Sequence, residues 1–188
     1  MMFADNKAYQ LQKIAREIEK CRKCKEDKTG MPVPGEGNIN SLVMFIGEAP
    51  GRKEAESGHP FIGRAGKLLT ELLAGIKIKR SDVYITSPVK YYPGRRTPKI
   101  SEIKHGAIHL LAQIKIIQPK VIVLLGKTAH KALVADAMIA KIHGKKFKKE
   151  GMVYFSTYHP AAALRFPKFK KVMEDDFAKL KKIYSRLI

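Results

Sequence analysis

Two separated segments hold residue types that can do chemistry together: Gly47-Glu48-Ala49-Pro50-Gly51 and His159-Pro160-Ala161-Ala162-Ala163-Leu164-Arg165. Each follows an apolar, strand-like run and ends in residues that open a loop or a helix. Two such loops on neighbouring strand ends make one pocket, with the Glu48 carboxylate on one side and the His159 imidazole on the other. The chain around them is strongly basic, so the expected chemistry is on a nucleic acid. A second pair of reactive groups is Cys21 and Cys24, in Cys-Arg-Lys-Cys. Two cysteines exclude a disulfide framework, and this spacing suggests a metal site or a redox pair. A thioredoxin-like motif would follow a strand; here a helix leads into it.

Lys and Arg number 37 against 17 Asp and Glu, a formal charge of +20. Such a field attracts polyanions, and phosphate contacts with counterion release make nucleic acid the expected partner. The 188 residues, 45% of them hydrophobic, suit one domain with a sizeable core. No apolar run reaches the length of a bilayer span. The first twenty residues are amphipathic and charged rather than signal-like. An intracellular, cytoplasmic and nucleoid-associated protein is expected, with no membrane partner.

The elements that must position these residues follow from hydrophobic period. Leu11, Ile14, Ala15 and Ile18 mark an amphipathic helix over residues 7–20. Residues 29–40, rich in Gly and Pro, read as loop. Leu42–Ile46, Val83–Thr86 and Val121–Leu125 are short apolar runs suited to buried parallel strands. Helical stripes run over 64–76, over 100–118 (Ile103, Ile108, Leu111, Ile114, Ile117) and from Gly126 to about Ala137. Lys145–Lys149 and Met152–Ser156 read as a hairpin, and 170–187 as a closing helix. Lys145, Lys146, Lys148 and Lys149 form a run that either tracks a DNA backbone or is simply solvated. Alternating strands and helices give an α/β class with a mainly parallel sheet. In such sheets ligands bind beyond the carboxyl ends of the strands, where Gly47–Gly51, Ser87–Lys90 and His159–Arg165 fall. Gly126-Lys127-Thr128 ends like a phosphate loop but lacks its upstream glycine spacing; a helix start packed on the sheet accounts for it better.

Taken with Gly58-His59-Pro60-Phe61-Ile62-Gly63-Arg64-Ala65-Gly66, Arg96-Thr97-Pro98 and Gln118–Gly126, these segments make the chain resemble the family 4 uracil-DNA glycosylases, the iron–sulfur type, over nearly its whole length. The resemblance implies a three-layer αβα sandwich on a mainly parallel four-stranded sheet, as a single domain over 1–188. It implies excision of uracil or another deaminated base from DNA after the nucleotide is flipped from the stack. A monomer is expected, since one bound DNA target needs no symmetry. Phe61 matches the aromatic that stacks on the base. His159 matches the histidine that hydrogen-bonds uracil O2 as charge develops, a task a neutral imidazole can do. Glu48 would orient water or stabilise positive charge on the sugar, beside Ala49. Backbone amides from Gly47 onward would help hold the base. Leu164 would fill the gap left by the flipped base, with Arg165, Arg64 and Lys90 as further DNA contacts.

Two departures from the family pattern bear on function. The family holds its cluster with four cysteines. Cys21 and Cys24 match the first pair, but the second pair falls on Tyr91 and Gly106. A standard four-iron cluster is therefore not expected, no cofactor is expected, and the Cys21–Cys24 pair reads as vestigial. His105 and His109 lie near the lost position and offer zinc as an alternative. Second, the family's base-reading asparagine is Ser87 here, which cannot make the same two-point contact. Base discrimination should weaken. Two readings stand: a glycosylase, favoured by Glu48, Phe61 and His159, and a glycosylase-like DNA-binding module with lost or residual catalysis, favoured by Ser87 and the missing cysteines.

Overall fold

The computed structural model describes residues 2–187, with side chains from residue 6 onward. In chain order, the first part holds α1 (Met2–Lys20), α2 (Arg22–Lys25), β1 (Glu36–Gly37), β2 (Val43–Ile46), α3 (Arg52–Ser57) and α4 (Arg64–Gly75). A 3-10 turn at Arg80–Asp82 precedes β3 (Tyr84–Thr86) and α5 (Ile100–Ile117). There follow β4 (Val121–Leu125), α6 (Gly126–Leu133), α7 (Ile139–Ile142), β5 (Lys145–Lys149), β6 (Met152–Thr157), α8 (Pro160–Arg165) and α9 (Lys168–Tyr184).

The sheet order is β1-β3-β2-β4-β6-β5. The four inner strands are parallel, with Phe45 opposite Ile85 and Val123, and Val123 opposite Phe155. Antiparallel β1 and β5 close the two edges, making six strands where the sequence suggested four at the centre. β5 is the expected hairpin partner of β6. β1 is a two-residue piece inside the segment read as loop, too short to leave a periodic signal. The lysine run lies on the β5 edge, where charge keeps an open strand from pairing with another chain.

Strand period 2 sorts the core into two layers. Val43, Phe45, Ile85, Val123 and Phe155 meet α4 and α9, while Met44, Ile46, Tyr84, Ile122 and Leu124 meet α5 and α6. Helices on both faces explain why the inner strands read as unbroken apolar runs. The stripe on α5 is rotated from the expected one. Ile103, Leu110, Ile114 and Ile117 are buried, but Ile108 and Leu111 are exposed, because Gly106, Ala107 and Gln113 take the inward positions. α6 stops at Leu133 rather than near Ala137, where Ala135 O accepts from His130 Nδ1 at 2.8 Å. No described helix is long and apolar enough to cross a membrane.

Candidate active site

The carboxyl ends of β2, β3, β4 and β6 point to the same edge of the sheet, because those strands are parallel. One cavity of about 410 Å³ opens there, lined by Glu48, Ala49, Phe61, Ser87 and His159, with Tyr92 to Arg96 at its rim. That size falls in the range of about 300–1,000 Å³ usual for small-molecule sites. The Phe61 and His159 rings face each other with centroids 5.5 Å apart, tilted by 34°.

Gly47 makes that juxtaposition possible. A Cβ at this position would lie 2.6 Å from Phe61 Cε2 and Cζ, and 3.6 Å from His159 Nε2. Only glycine lets the aromatic ring lie on the strand end. Phe61 itself has φ of +52°, a left-handed conformation that costs a bulky residue about 1–3 kcal/mol. The neighbouring loop is clamped on both sides. Glu54 Oε1 accepts the N–H groups of Ile62 at 2.9 Å and Gly63 at 2.8 Å, and Arg80 Nη2 donates to Pro60 O at 2.6 Å. Neither Glu54 nor Arg80 carried a sequence signal for this task. Their partners are main-chain atoms, which leave no trace in residue types.

His159 is the N-cap of α8. Its Nδ1 accepts the Ala161 N–H at 3.2 Å. In the neutral ring the proton therefore sits on Nε2, the nitrogen nearest Gly47. Desolvation at the pocket floor lowers the His159 pKa, against the opposing pull of Glu48 and Glu54. The capping role and a donor role are thus compatible: one nitrogen holds the helix and the other is a fixed donor. Glu48 Oε2 accepts a 2.6 Å hydrogen bond from Thr128 Oγ1. This bond assigns the Gly126-Lys127-Thr128 segment a task in the site. Nothing in the local sequence paired Thr128 with a residue eighty positions earlier.

Ser87 is buried at the end of β3, and its hydroxyl donates to Val89 O at 2.8 Å. With that proton committed, the oxygen can only accept from a ligand. Arg64, Leu164 and Arg165 are exposed. Leu164 and Arg165 end the short helix that His159 begins, and the Arg165 guanidinium lies 5.3 Å over the Phe166 ring.

Lys90 is not a DNA contact. It is 1% exposed, and Nζ donates inward to Thr86 Oγ1 at 2.7 Å, Gln113 Oε1 at 2.8 Å and Pro34 O at 3.0 Å. Burial pushes its pKa down to about 7, while three acceptors favour the ammonium. Its work is to pin the loop at Pro34 against β3 and α5. The rim is held similarly. Arg96 forks onto Glu102 at 2.7 and 2.8 Å, Lys28 meets the same carboxylate at 3.0 Å, and that carboxyl is held down to about 2, chiefly by the Arg96 bonds.

A four-cysteine iron–sulfur cluster does not fit this chain. The sequence has two thiols. A Cβ at Gly106 would lie 2.0 Å from Pro88 O, so no side chain fits there. Tyr91 is buried beside Cys24, with its hydroxyl donating to Glu19 O at 3.3 Å. Yet the cysteine pair is not isolated: the ligand atoms of Cys21, Cys24, His105 and His109 all lie within 4.8 Å of one another.

Residues 34–184 match the model of the uracil DNA glycosylase superfamily. A protein of Sulfurisphaera tokodaii named type-4 uracil-DNA glycosylase is 41% identical over 186 residues, covering 92% of this chain and 84% of that protein. Like-named proteins are 44% identical in Saccharolobus solfataricus (92% of this chain, 85% of the relative) and 41% identical in Archaeoglobus fulgidus (90% and 91%). With its αβα layers and a glutamate, phenylalanine and histidine around one strand-end cavity, this chain belongs to the type-4 uracil-DNA glycosylases of that superfamily.

Proposed function

We propose that this protein is a DNA repair glycosylase that hydrolyses the bond joining uracil to deoxyribose in DNA. The observation that carries this reading is the single cavity shared by the Phe61 and His159 rings, 5.5 Å apart. A flipped base stacks on Phe61, which excludes water from one face. As the C1′–N1 bond breaks, the bonding pair passes to the base and charge gathers on O2. His159 Nε2–H, fixed by the Ala161 cap, donates to that oxygen. A preorganised donor stabilises the departing anion more than the bound base, which accelerates the step.

Glu48 faces the sugar side. Thr128 occupies Oε2, and Oε1 is left to accept from water. The water oxygen bonds to C1′, its proton passes to the carboxylate, and the uracil anion later takes a proton, leaving an abasic sugar. Ser87 accepts from N3–H and cannot donate to O4, so base selectivity rests on one polar contact there. Leu164 fills the space vacated in the duplex, and Arg64 and Arg165 meet phosphates. The protein acts as a monomer on DNA, since one bound target needs no symmetric partner. An intracellular, nucleoid-associated setting goes with that substrate.

The test is incubation of the purified protein with labelled single- and double-stranded oligonucleotides carrying uracil, hypoxanthine or xanthine. Release of uracil that is lost in His159→Ala supports the proposal. Binding of DNA with no base released overturns it in favour of a DNA-binding module.

A further inference from the structure

We infer that Cys21, Cys24, His105 and His109 bind a single zinc ion that ties the N-terminal helices to α5 and, through them, steadies the rim of the active-site cavity.

Local geometry assembles the four ligands from two elements. Cys21 caps α2 and Cys24 lies within it, and the Cys24 N–H donates to Cys21 Sγ at 3.3 Å. That turn sets both sulfurs on one side. His105 and His109 are four apart on α5 and so share a face, with their ring centroids 5.9 Å apart. Cys21 Sγ lies 3.1 Å from His105 Nε2.

The spacing fits a single tetrahedral ion such as zinc. Zinc with Zn–S of about 2.3 Å and Zn–N of about 2.0–2.1 Å places tetrahedral ligand atoms about 3.3–3.8 Å apart. Four ligand atoms within 4.8 Å of one another need only a small contraction to reach this. A two-iron cluster splits its ligands between two irons and needs a wider cage. Two thiolates and two imidazoles are a donor set that zinc favours and that neutralises its charge. Ile14, Ile18 and Tyr91 pack around the buried Cys24, while Cys21 is half-buried at the edge of that cluster. Four protein ligands leave no open position, which makes the site structural rather than catalytic.

The consequence for the cavity follows from connectivity. The chain leaves α2 and reaches Thr29, whose N–H donates to Tyr92 O at 3.1 Å. Tyr92 begins the rim segment that continues to Arg96. α2 precedes one side of that clamp and α5 follows the other, so the proposed ion joins the two elements that flank it.

The test is metal analysis of protein expressed with zinc and purified without chelator. About one zinc per chain is expected, without iron or acid-labile sulfide. Cys21→Ser and His109→Ala should each lower zinc content at least about tenfold, whereas His59→Ala, at an exposed histidine, should leave it unchanged. Should the ligand variants fail to fold, the wild-type protein still decides. Cobalt added to stripped, reduced protein should give the visible bands of a tetrahedral thiolate site. Zinc should also protect both thiols from alkylation until a chelator is added, and chelation should lower Tm by about 5–10 °C. Iron with sulfide, zinc retained in Cys21→Ser, or thiols equally reactive with and without zinc would each overturn the inference. None of these readouts depends on uracil release.

Discussion

Thr128 Oγ1 donates a 2.6 Å hydrogen bond to Glu48 Oε2 across the point where the strand order reverses. From β2 the chain crosses to β3 on one side and then returns to β4 on the other. The loops leaving β2 and β4 diverge there and open a crevice, the usual ligand position in such sheets. Glu48 and Thr128 each stand just past one of these strands. Thr128→Val should therefore lower the single-turnover rate of uracil excision about tenfold, as expected for losing a hydrogen bond to a charged group, with little change in DNA affinity. Thr128→Ser should restore it. An unchanged rate in Thr128→Val would remove Thr128 from the site.

His159 serves two masters, and two substitutions separate them. His159→Ala should cut excision about 10²–10³-fold and also cost about 0.5–2 kcal/mol as the α8 cap is lost. His159→Asn keeps an acceptor for the Ala161 N–H. It should retain the wild-type Tm while excision still falls. Rates that track Tm across both variants would mean that the ring acts only as a cap.

The pH dependence has a definite sign. Desolvation holds the His159 pKa below its ordinary 6.5, so the neutral ring is the native species at neutral pH. The stability tied to this neutral ring is present above the ordinary histidine pKa and is lost as pH falls and the unfolded state takes up the proton. Excision should follow, with its acid limb centred below 6.5. A single-turnover profile across about pH 5 to 8 reads that midpoint, and a value at or above the ordinary one would contradict the neutral-donor role.

Ser87 offers a gain-of-function test. Its hydroxyl is committed to Val89 O, so O4 of the base lacks a donor from this side chain. Ser87→Asn supplies a donor and an acceptor together. The ratio of kcat/KM for uracil over hypoxanthine should rise about tenfold, since a two-point base contact is worth about 1–3 kcal/mol. No change in that ratio would show that the base edge is read elsewhere.

Arg165 and Lys90 should behave oppositely although both are basic. Arg165→Ala should weaken DNA binding uniformly across sequences and lower the salt slope by about 1. Lys90→Met should leave that slope unchanged but lower Tm, because three inward acceptors lose their donor. Salt-titrated binding of the two variants compares them directly.

Several features were legible in the residues alone. The unbroken apolar runs at Leu42–Ile46 and Val121–Leu125 suited strands buried on both faces, and β2 and β4 are such strands. Turn residues after strand-like runs placed Glu48 and His159 on loops at strand ends, and the family resemblance added Phe61. Charge pointed to a polyanion. What sequence could not supply was pairing between distant side chains. Lys90 sits beside the site motifs in the chain, yet its ammonium turns inward to Pro34, Thr86 and Gln113. Thr128 looked like helix punctuation until β4 was set next to β2. The resemblance put His105 and His109 near the lost ligand position, but only the packing of α5 against α2 brings the four ligand atoms within 4.8 Å of one another. Local period and turn chemistry are short-range properties, so residue order reveals them. Hydrogen-bond partners and ligand sets depend on which strands and helices become neighbours, and only the packed structure decides that.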